Sequence, residues 1–423
     1  MTNNEFIADF HIHSSHSRAT SKAISLDTID DACKNKGIDI VATGDITHPA
    51  VIEECDEKLK QNDNGLYFLK DKYIINKDCP SINFMLSGEI STIYKDGDKT
   101  RKIHHVVVLK NLDAAKRFSK ALGNIGNITS DGRPILGITS KNLLEMLLEA
   151  DSENILIPAH IWTPWFAVLG SKSGYDSIEE CYKDLTPYIY ALETGLSSNP
   201  PMNWQVSSLD KFSLVSNSDA HSLGKLGREA TLFRGEKSYA NMLSALKKEN
   251  DNLKGTIEFF PEEGKYFGDG HRACDYLSEN AEMTKATNGI CPICKKPLTL
   301  GVNYRVAEIA DRKPGETHPG AKKYEVIVPL KELLGLIYNV GSASKKVETE
   351  YRKMIDKLGT EFYILRKVSL KDIEKVSGRP ILAEVIRDMR EEKLNFIPGY
   401  DGEFGVLSVK NISRSLFDDI VIG

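Results

Sequence analysis

The amino-acid sequence predicts an α/β fold for residues 1–260, followed by a small metal-binding module and an α-rich domain. Three observations predict the α/β part. Short apolar runs recur along residues 6–215, segments with helical period separate them, and each run carries His, Asp or Glu at one end. Strands that alternate with helices pair in parallel, and seven such units are expected to close as a (β/α)7 barrel. We predict domain boundaries of 1–260, 261–321 and 322–423.

The predicted strands are seven apolar runs. In chain order they are Phe6–Phe10, Ile38–Thr43, Ile82–Leu86, Val106–Leu109, Ile155–Ala159, Tyr188–Leu192 and Phe212–Val215. A buried His, Asp or Glu must be paired or must ligate a metal, so such residues at seven strand ends are not expected by accident.

The side chains at the strand ends are competent to bind metal. They are His11 and His13, Asp45 and His48, Glu89, His104 and His105, His160, Glu193, and Asp219 with His221. Alternate residues of a strand share one face, so the two imidazoles of the first pair point the same way, as two ligands of one metal must. Because the ligand-bearing ends of barrel strands meet at one face, we expect these residues to share one pocket.

Helical period separates the predicted strands. The predicted helices cover 26–36, 49–62, 114–122, 141–150, 177–185 and 201–209. The fourth is the clearest, because Thr139 or Ser140 can cap a run in which Leu143, Leu144, Leu147 and Leu148 form one apolar stripe.

Three segments interrupt the alternation. Residues 63–80 and 94–102 are polar inserts, and the second contains Asp96-Gly97-Asp98, which predicts a hairpin turn. Residues 163–176 form a long, glycine-punctuated loop directly after His160. Its aromatic residues either close the barrel mouth as a local cluster or contact substrate, and the two interpretations are compatible.

A second metal site is predicted after residue 262. His271, Cys274, Cys291 and Cys294 form a His-x-x-Cys pair and a Cys-x-x-Cys pair, the spacing of a closed tetrahedral zinc site. A module this short buries little core, so the metal would supply its folding free energy. The alternative is three cysteines that bind no metal.

The last domain is predicted to be rich in helix, with some strand. Helices are expected over 326–339, 344–358, 369–376 and 379–392, and a short hairpin within 396–406. From residue 301 onward, 21 Lys and Arg stand against 19 Asp and Glu, a balance that weakly favours contact of this domain with a polyanion such as a nucleic acid.

Composition bounds the class of protein. The chain has 423 residues, of which 41% are hydrophobic and 27% charged, as in soluble globular proteins. The net charge of −5 does not by itself indicate a nucleic-acid binder. Seven cysteines do not make a disulfide scaffold, and Cys33, Cys55, Cys79 and Cys181 are expected to be free thiols. With no signal-like start and no apolar run of about 18 residues, we expect a cytoplasmic protein.

These motifs together resemble the PHP superfamily, named from polymerase and histidinol phosphatase. The resemblance implies a distorted seven-stranded barrel with a trinuclear metal site. The metal ligands it implies are His11, His13, Asp45, Glu89, His105, His160, Asp219 and His221. His16, His48 and His104 are further candidates; His104 and His105 should not both be ligands, because adjacent residues of a strand face opposite ways.

More narrowly, the whole chain resembles the endonuclease Q family of DNA-repair nucleases. The segments that carry this resemblance are Gly44–Pro49, Ala159–Phe166, Gly170–Ser177 and Gly289–Cys294. It implies hydrolysis of the phosphodiester bond on the 5′ side of uracil, hypoxanthine, xanthine or an abasic site. We therefore hypothesise attack by a hydroxide that bridges two metal ions.

Roles are assigned to further residues on this hypothesis. Glu89, Asp219 and His160 are the catalytic candidates, with Glu89 as the bridging carboxylate. The candidate contacts to DNA or to an extruded base are Trp162, Trp165, Phe166, Lys172, Ser173, Tyr175 and Arg228.

The cofactors expected are one structural Zn²⁺ and a catalytic cluster of two or three Zn²⁺, with Mn²⁺ or Mg²⁺ as alternatives. The expected partner is damaged DNA, double- or single-stranded. A sliding clamp is a further candidate partner, and we expect a monomer that does not bind membranes. Two other hypotheses stay open: a PHP phosphomonoesterase that acts on a small molecule, and a catalytically inactive PHP protein that binds DNA.

Overall fold

A large mixed β-sheet organises the first part of the chain in the computed structural model, which describes residues 4–409 and 412–414. Within those residues eleven strands belong to this sheet, and β9 and β10 form a separate parallel pair. The strands of this region are β1 (Glu5–Asp9), β2 (Ile40–Ala42), β3 (Leu59–Gln61), β4 (Tyr67–Leu69), β5 (Asn83–Asp96), β6 (Lys99–Leu109), β7 (Ile135–Leu136), β8 (Ile155–Pro158), β9 (Ala191–Glu193), β10 (Ser213–Val215), β11 (Ala230–Arg234) and β12 (Leu253–Glu258).

The large sheet contains both parallel and antiparallel pairs of strands. β1 pairs in parallel with β2, and β2 with β5, as the alternation of strands and helices predicts. β11 pairs antiparallel with both β1 and β12, and β6 pairs antiparallel with β5 and β8. The prediction of parallel pairing is therefore wrong for β6, and β11 and β12 were not predicted as strands, whereas the α/β class is confirmed.

β6 runs antiparallel to β5 because the two strands form the hairpin that the sequence predicted. β5 and β6 are joined by a tight turn at Gly97, which has a φ of +59°, and a tight turn can only connect antiparallel strands. Because β6 runs opposite to its neighbours, its beginning meets the ends of the other strands. This explains why His104 and His105 precede their apolar run instead of following it.

In the part of the chain that the structure describes, seven α-helices accompany these strands. They are α1 (Leu26–Lys36), α2 (Pro49–Lys58), α3 (Leu112–Gly123), α4 (Ser140–Ala150), α5 (Ile178–Tyr182), α6 (Pro200–Asn203) and α7 (Tyr239–Leu246). The Thr139 hydroxyl accepts a hydrogen bond from Asn142 N and caps α4, whose Leu143, Leu144 and Leu147 are buried, as predicted. The helix predicted over 177–185 ends early, and a 3₁₀ turn containing Pro187 follows α5.

The core has an inner and an outer layer because alternate strand residues face opposite ways. Phe6 of β1 and Phe10, directly after β1, pack with Val106 of β6 and Ile157 of β8 on the inner side. Ile7 of β1 belongs instead to the layer beneath the helices. His11 and His13 continue β1 beyond this core, which places the candidate ligands at the end of the inner layer.

Short elements form the region of the Cys and His motif. They are β13 (Gly270–His271), β14 (Tyr276–Leu277), α8 (Ala281–Ala286) and α9 (Val302–Ile309). The C-terminal region follows with β15 (Lys323–Val326), α10 (Leu330–Tyr338), α11 (Lys345–Leu358), α12 (Glu361–Arg366), α13 (Leu370–Ser377), α14 (Pro380–Arg390), β16 (Asn395–Ile397), β17 (Val406–Val409) and β18 (Ile412–Arg414).

The four helices predicted for this region are confirmed, and α12 is an addition. β16 and β17 form the expected hairpin, and β18 extends it. β15 pairs in parallel with β12, so the C-terminal region contributes a strand to the large sheet. The end of the predicted 322–423 domain lies outside the described residues, and the three domain boundaries stay predictions. Among the described residues, no helix is both long and apolar enough to cross a membrane.

Candidate metal centre

Four side chains from three places in the chain converge beyond the inner core. Nε2 of His11 and of His13, Oε2 of Glu89 and Oδ1 of Asp219 form the first donor group. His13 Nε2 lies 3.0 Å from the Asp219 oxygen and 3.4 Å from the Glu89 oxygen. His11 Nε2 lies 3.6 Å from each of the same two oxygens. A tetrahedral ion with bonds of roughly 2.0–2.1 Å separates its ligands by about 3.3 Å, so the group has the size of a metal site.

A second donor group shares Glu89 with the first. Glu89 Oε1 lies 2.6 Å from His104 Nδ1 and 3.2 Å from His160 Nε2, and the two imidazole nitrogens are 3.3 Å apart. Glu89 is fully buried, and each of its oxygens faces a different group. If both groups held an ion, Glu89 would offer one oxygen to each.

The donor chemistry fits metal ions better than hydrogen bonding. His11 Nδ1 faces the Glu193 carboxylate at 3.0 Å and must donate its proton there, which leaves Nε2 with a lone pair. That Nε2 atom is buried, has no hydrogen-bond partner among the described residues, and faces two carboxylates that are also acceptors. A cation among these atoms would satisfy all of them.

Carboxylates behind the imidazoles fix their orientation. Glu193 accepts from His11 Nδ1 and also from the backbone N–H of His160 at 2.8 Å. Asp45 accepts from His13 Nδ1 at 3.1 Å, and Ser14 and Ser17 saturate its other oxygen. Such carboxylate–histidine pairs select the tautomer that presents Nε2 to a metal.

Left-handed backbone marks three strand ends in the centre. The φ angles are +46° at Asp45, +30° at His160 and +46° at Asp219, a region that residues other than glycine seldom occupy. Gly195 packs against this backbone, and a Cβ there would lie 2.4 Å from the His160 Cβ. Strain of this kind, held by the surrounding packing, concentrates at functional sites.

Arg133 brings a positive charge to the centre. It follows Gly132, whose N–H donates to His16 O, and it precedes Pro134, whose carbonyl accepts from Ser91 N. Its guanidinium Nη1 donates to Glu89 Oε2 at 2.9 Å, and 31% of the side chain is exposed. Burial of Glu89 disfavours its carboxylate form and would raise its pKa. The imidazoles of His104 and His11 and the Arg133 guanidinium outweigh this effect and hold the pKa of Glu89 well below its usual range.

Sequence reasoning left Glu193 and Arg133 without roles. Glu193 closes a predicted strand and follows the same pattern as the ligands, so a signal for it was present. Arg133 lies in an irregular loop, where nothing in the local sequence indicates its direction.

The structure corrects the predicted ligand His105. His105 is fully buried; Tyr182 contacts its Nδ1 at 3.0 Å and Thr92 its Nε2 at 3.1 Å. Both ring nitrogens are therefore used in the core, and His104, on the opposite face of β6, takes the place in the donor group.

Two further candidates lie beside the donor groups of the described chain rather than in them. Asp45 is corrected from ligand to the carboxylate that orients His13, because both its oxygens are occupied. His221 lies 4.3 Å from His13 between ring centroids and donates from Nδ1 to the carbonyl of Asp219. Its second ring nitrogen belongs to neither group.

His16 and His48 stack on each other with ring centroids 4.5 Å apart. His48 Nδ1 accepts from Ala50 N and caps α2, while its Nε2 contacts the Thr129 carbonyl. Its ring nitrogens are therefore engaged within the protein. His16 is exposed and lies outside both donor groups of the described chain.

The predicted DNA contacts divide by exposure. Trp165 is 40% exposed, Lys172 is exposed and Phe166 is half-buried. Trp162, by contrast, has no exposed surface and donates to Asn203, so it cannot touch a base in this conformation.

Three more of the predicted DNA contacts are buried in the protein. The Tyr175 hydroxyl donates to Asp96, Ser173 donates to the Lys102 carbonyl, and Arg228 donates to the Ser218 carbonyl beside Asp219. These side chains are corrected from DNA contacts to supports of the loops that surround the centre.

The Cys and His motif forms the third donor group. His271, Cys274, Cys291 and Cys294 each place one ligand atom within 4.8 Å of the others. The turn between the last two cysteines is closed by Cys291 N donating to the Lys296 carbonyl at 2.8 Å. Three thiols and one imidazole are a donor set typical of a structural tetrahedral site.

Known proteins share this architecture. A family model described as the MJ0043 C-terminal domain matches residues 329–393. The chain is 30% identical over 413 residues to the uncharacterised protein YqxK of Bacillus subtilis, covering 94% of this chain and 98% of that protein. The crystal structure of PfuEndoQ, a lesion-specific endonuclease from Pyrococcus furiosus, matches with a TM-score of 0.83 at 27% identity over 96% of both chains. A structure of endonuclease Q with a 27-mer duplex that carries an abasic lesion at the active site matches with a TM-score of 0.82 at 26% identity, over 96% of this chain and 97% of that one.

The fold and the centre define a class of protein, the metal-dependent hydrolases that collect imidazole and carboxylate ligands at strand ends. Within that class the likeness extends over nearly the whole chain. The protein belongs to the endonuclease Q family.

Proposed function

We propose that this protein is a metal-dependent DNA-repair endonuclease that hydrolyses the phosphodiester bond on the 5′ side of deaminated bases or abasic sites. The observation that carries the proposal is the full-length likeness to endonuclease Q, one structure of which holds a duplex with an abasic lesion at the active site. A phosphomonoesterase acting on a small molecule would need the metal centre but not the matching Cys and His region or the C-terminal helices.

The side chains of the centre prepare the site for phosphodiester hydrolysis. Glu193 and Asp45 hold the imidazoles of His11 and His13 in one orientation, and Glu89 offers one oxygen to each donor group. When bound, metal ions activate water as a nucleophile and neutralise charge on the phosphoryl oxygens. Arg133 adds a guanidinium at the same carboxylate, from a loop anchored on both sides. It can turn from Glu89 to a phosphoryl oxygen, whose negative charge it would stabilise.

Recognition of a damaged base requires it to leave the base stack, because the pairing edge is hidden inside a duplex. Phe166 and Trp165 lie in the loop directly after the ligand His160, and both have accessible ring surface. We assign them to contacts with the extruded nucleotide or with the gap that it leaves.

The metals are assigned on the donor types. We propose one Zn²⁺ at the Cys and His group and two or three ions, Zn²⁺ or alternatively Mn²⁺ or Mg²⁺, in a centre at the mouth of a closed seven-stranded barrel. Metal analysis of the purified protein checks this assignment, with three to four ions per chain expected. We also propose that the protein acts on DNA as a monomer; the sliding clamp stays a prediction.

The test uses duplexes labelled at the 5′ end that contain one uracil, one hypoxanthine or one abasic site, with an undamaged duplex as control. We expect a metal-dependent nick 5′ to the lesion, with a 3′-hydroxyl on the labelled fragment, and no nick in the undamaged duplex. Asp219→Ala and Glu89→Gln should abolish it, whereas Cys79→Ser, which changes an exposed free thiol, should not. Nicking that ignores the lesion, or that survives Asp219→Ala, contradicts the proposal. Turnover of a phosphomonoester without nicking would favour the small-molecule alternative.

A further inference from the structure

A basic cleft lies beside the metal centre. It has a volume of about 900 Å³ and runs between the beginning of β6 and the loop that follows His160. Lys99 and Lys102 line it from β6, Lys172 and Trp165 from the loop, and Arg305 from α9. Three separate parts of the chain therefore build one concave surface.

The positive charge of the cleft is only partly neutralised. Arg305 pairs with Asp176 and Glu308, the two acidic residues of the lining. Lys99, Lys102 and Lys172 form no ion pair with any carboxylate of the described residues. Three ammonium groups in one cleft repel each other, so an anion that spans them would be bound favourably.

One face of β6 links the cleft to the metal centre. Lys102 and the ligand His104 lie two residues apart on β6 and therefore share one face of the strand. The Phe166 ring lies between them, with its centroid 4.6 Å from that of His104 and 5.6 Å from Lys102 Nζ. The backbone N–H of His104 donates to the Phe166 carbonyl at 2.9 Å, which fixes this side of the loop to the strand.

The cleft is held in shape by buried contacts. Arg305 donates to the carbonyls of Leu169 and Tyr175 at 3.0 Å each, so α9 supports the far side of the loop. Trp165 packs edge-on against Tyr266, with 5.5 Å between ring centroids. Its remaining exposed surface forms an aromatic wall at the edge of the cleft.

We propose that this cleft binds the phosphodiester backbone of the cleaved DNA strand next to the scissile bond, with Lys99, Lys102 and Lys172 as phosphate contacts and Trp165 as a stacking surface for a neighbouring base. This inference rests on the proposed endonuclease function and adds the path of the strand. Lys102 lies two strand residues, about 7 Å, from His104 on the same face of β6, the length of roughly two nucleotides along one strand of a duplex. Lys99 and Lys172 extend the positive lining of the cleft away from the centre. Repeated phosphates match these three cations, and an aromatic side chain stacks on any base.

The test compares two triple variants of the full-length protein. The first combines Lys99→Gln, Lys102→Gln and Lys172→Gln. The control combines Lys60→Gln, Lys77→Gln and Lys323→Gln, which remove the same charge from exposed positions near strand starts, at the opposite end of the sheet. Equal thermal midpoints and equal bound metal would show that both variants fold.

Two readouts separate this inference from the proposed function. Binding to an undamaged duplex, measured by fluorescence anisotropy across a salt series, needs no cleavage. The cleft variant should bind at least about tenfold more weakly near 0.15 M salt, and the slope of log affinity against log salt should become shallower by about 2 to 3. KM for nicking of a uracil duplex should rise accordingly, with a smaller effect on kcat, while the control variant follows the wild type.

Equal affinity and an equal salt slope in the two triple variants would contradict the proposal that the cleft binds DNA, even if the wild type nicks damaged DNA. If the wild type binds DNA through the cleft but nicks no lesion, the inferred path of the strand stands and the proposed endonuclease function fails.

Discussion

At the scale of single residues, Arg133 is a partly exposed side chain that forms an ion pair with Glu89, a carboxylate shared by both donor groups. With metal ions in both donor groups, the guanidinium beside Glu89 would be repelled by them unless a further anion joined the centre. On the proposed function, the substrate phosphate would be that anion, and the contact to Glu89 would be the resting position of a side chain that moves to the substrate.

Replacing Arg133 by Met should lower kcat for nicking by about 100-fold or more, because a charge-stabilising donor is lost in the transition state. Arg133→Lys should recover part of this loss. Inhibition by inorganic phosphate should weaken at least about tenfold in the Met variant, an effect that a structural role would not produce, while bound metal stays constant. Arg18→Met is the matched control, since Arg18 is exposed and pairs with Asp131 on the same loop. Equal phosphate inhibition in wild type and Arg133→Met would contradict the assignment.

His104 and His105 allow a second prediction at this scale, because the two residues are adjacent on β6 and their side chains lie on opposite faces of the strand. His104→Gln should lose about one metal ion per chain together with nicking. His105→Gln should keep its metal but lower the free energy of unfolding by about 1–3 kcal/mol, because Tyr182 and Thr92 lose buried hydrogen bonds. Metal analysis and chemical denaturation check both. If His105→Gln lost the metal and His104→Gln did not, the assignment of the second donor group would be reversed.

At the scale of elements, a pair of buried carboxyl groups connects β11 and β12. Glu229 precedes β11 and Glu258 ends β12, and neither has exposed surface. Burial raises the pKa of both groups far above the ordinary carboxyl range, and the neighbouring carboxylate adds to this for Glu229. Glu258 accepts hydrogen bonds from Thr194 and Ser216, and one oxygen of each glutamate has no partner among the described residues.

These carboxyl groups predict a loss of stability with rising pH. Their folded pKa values exceed the unfolded ones, so the folded state binds more protons, and their contribution is largest below the unfolded value near 4.5. It is lost as pH rises from there through the raised folded values, at up to about 1.4 kcal/mol per pH unit for each proton. Glu258→Gln should flatten this dependence and stabilise the protein at pH 8 relative to the wild type. Thermal midpoints measured from pH 5 to 9 check this, and parallel curves for the two proteins would refute it.

The Cys and His region supports a neighbouring element as well as itself. Tyr266 packs on Trp165, and α9 holds the loop after His160 through Arg305. Cys274→Ser should therefore remove about one metal ion per chain, lower the thermal midpoint and also weaken DNA binding, whereas Cys79→Ser should change none of these. Metal analysis, calorimetry and anisotropy provide the three readouts. Full metal content in the Cys274→Ser variant would exclude this thiol as a ligand.

At the scale of the whole molecule, a buried charge pair joins the large sheet region to the C-terminal helices. Lys36 at the end of α1 lies 3.1 Å from Glu361 at the start of α12, and both are nearly inaccessible. Glu361 also accepts from Leu330 N at 2.8 Å and from the Tyr351 hydroxyl at 3.0 Å. Together with the pairing of β15 and β12, this contact indicates that the two regions unfold together.

Glu361→Gln should lower the free energy of unfolding by about 3–5 kcal/mol, because it leaves Lys36 buried without a counter-charge. Lys36→Met combined with Glu361→Gln should recover part of that loss. We expect one cooperative transition in each variant, observed by circular dichroism and by tryptophan fluorescence. Two separate transitions in the wild type would contradict the coupling.

Features that depend on residues close in sequence could be predicted, whereas features that depend on contacts between distant residues could not. The helix α1 has the predicted bounds, and the Asp96-Gly97-Asp98 turn is present. The predicted strand-end residues that converge are His11, His13, Glu89, His160 and Asp219. The direction of β11 and the packing of β15 on β12 depend on contacts between distant parts of the chain. The choice between His104 and His105 required the register of β6, which its own residues do not specify. Arg133 was missed because an irregular loop has no period from which to infer the direction of a side chain.

The shared carboxylate of Glu89 has a consequence for how the enzyme is loaded. If each donor group held an ion, the first ion would fix the rotamer of Glu89 and position an oxygen for the second, while the like charges of the two ions would oppose this gain. The affinities of the two groups would then be linked by one reciprocal coupling free energy. A change at either group, such as His104→Gln, would therefore also alter the affinity of the other group for its ion.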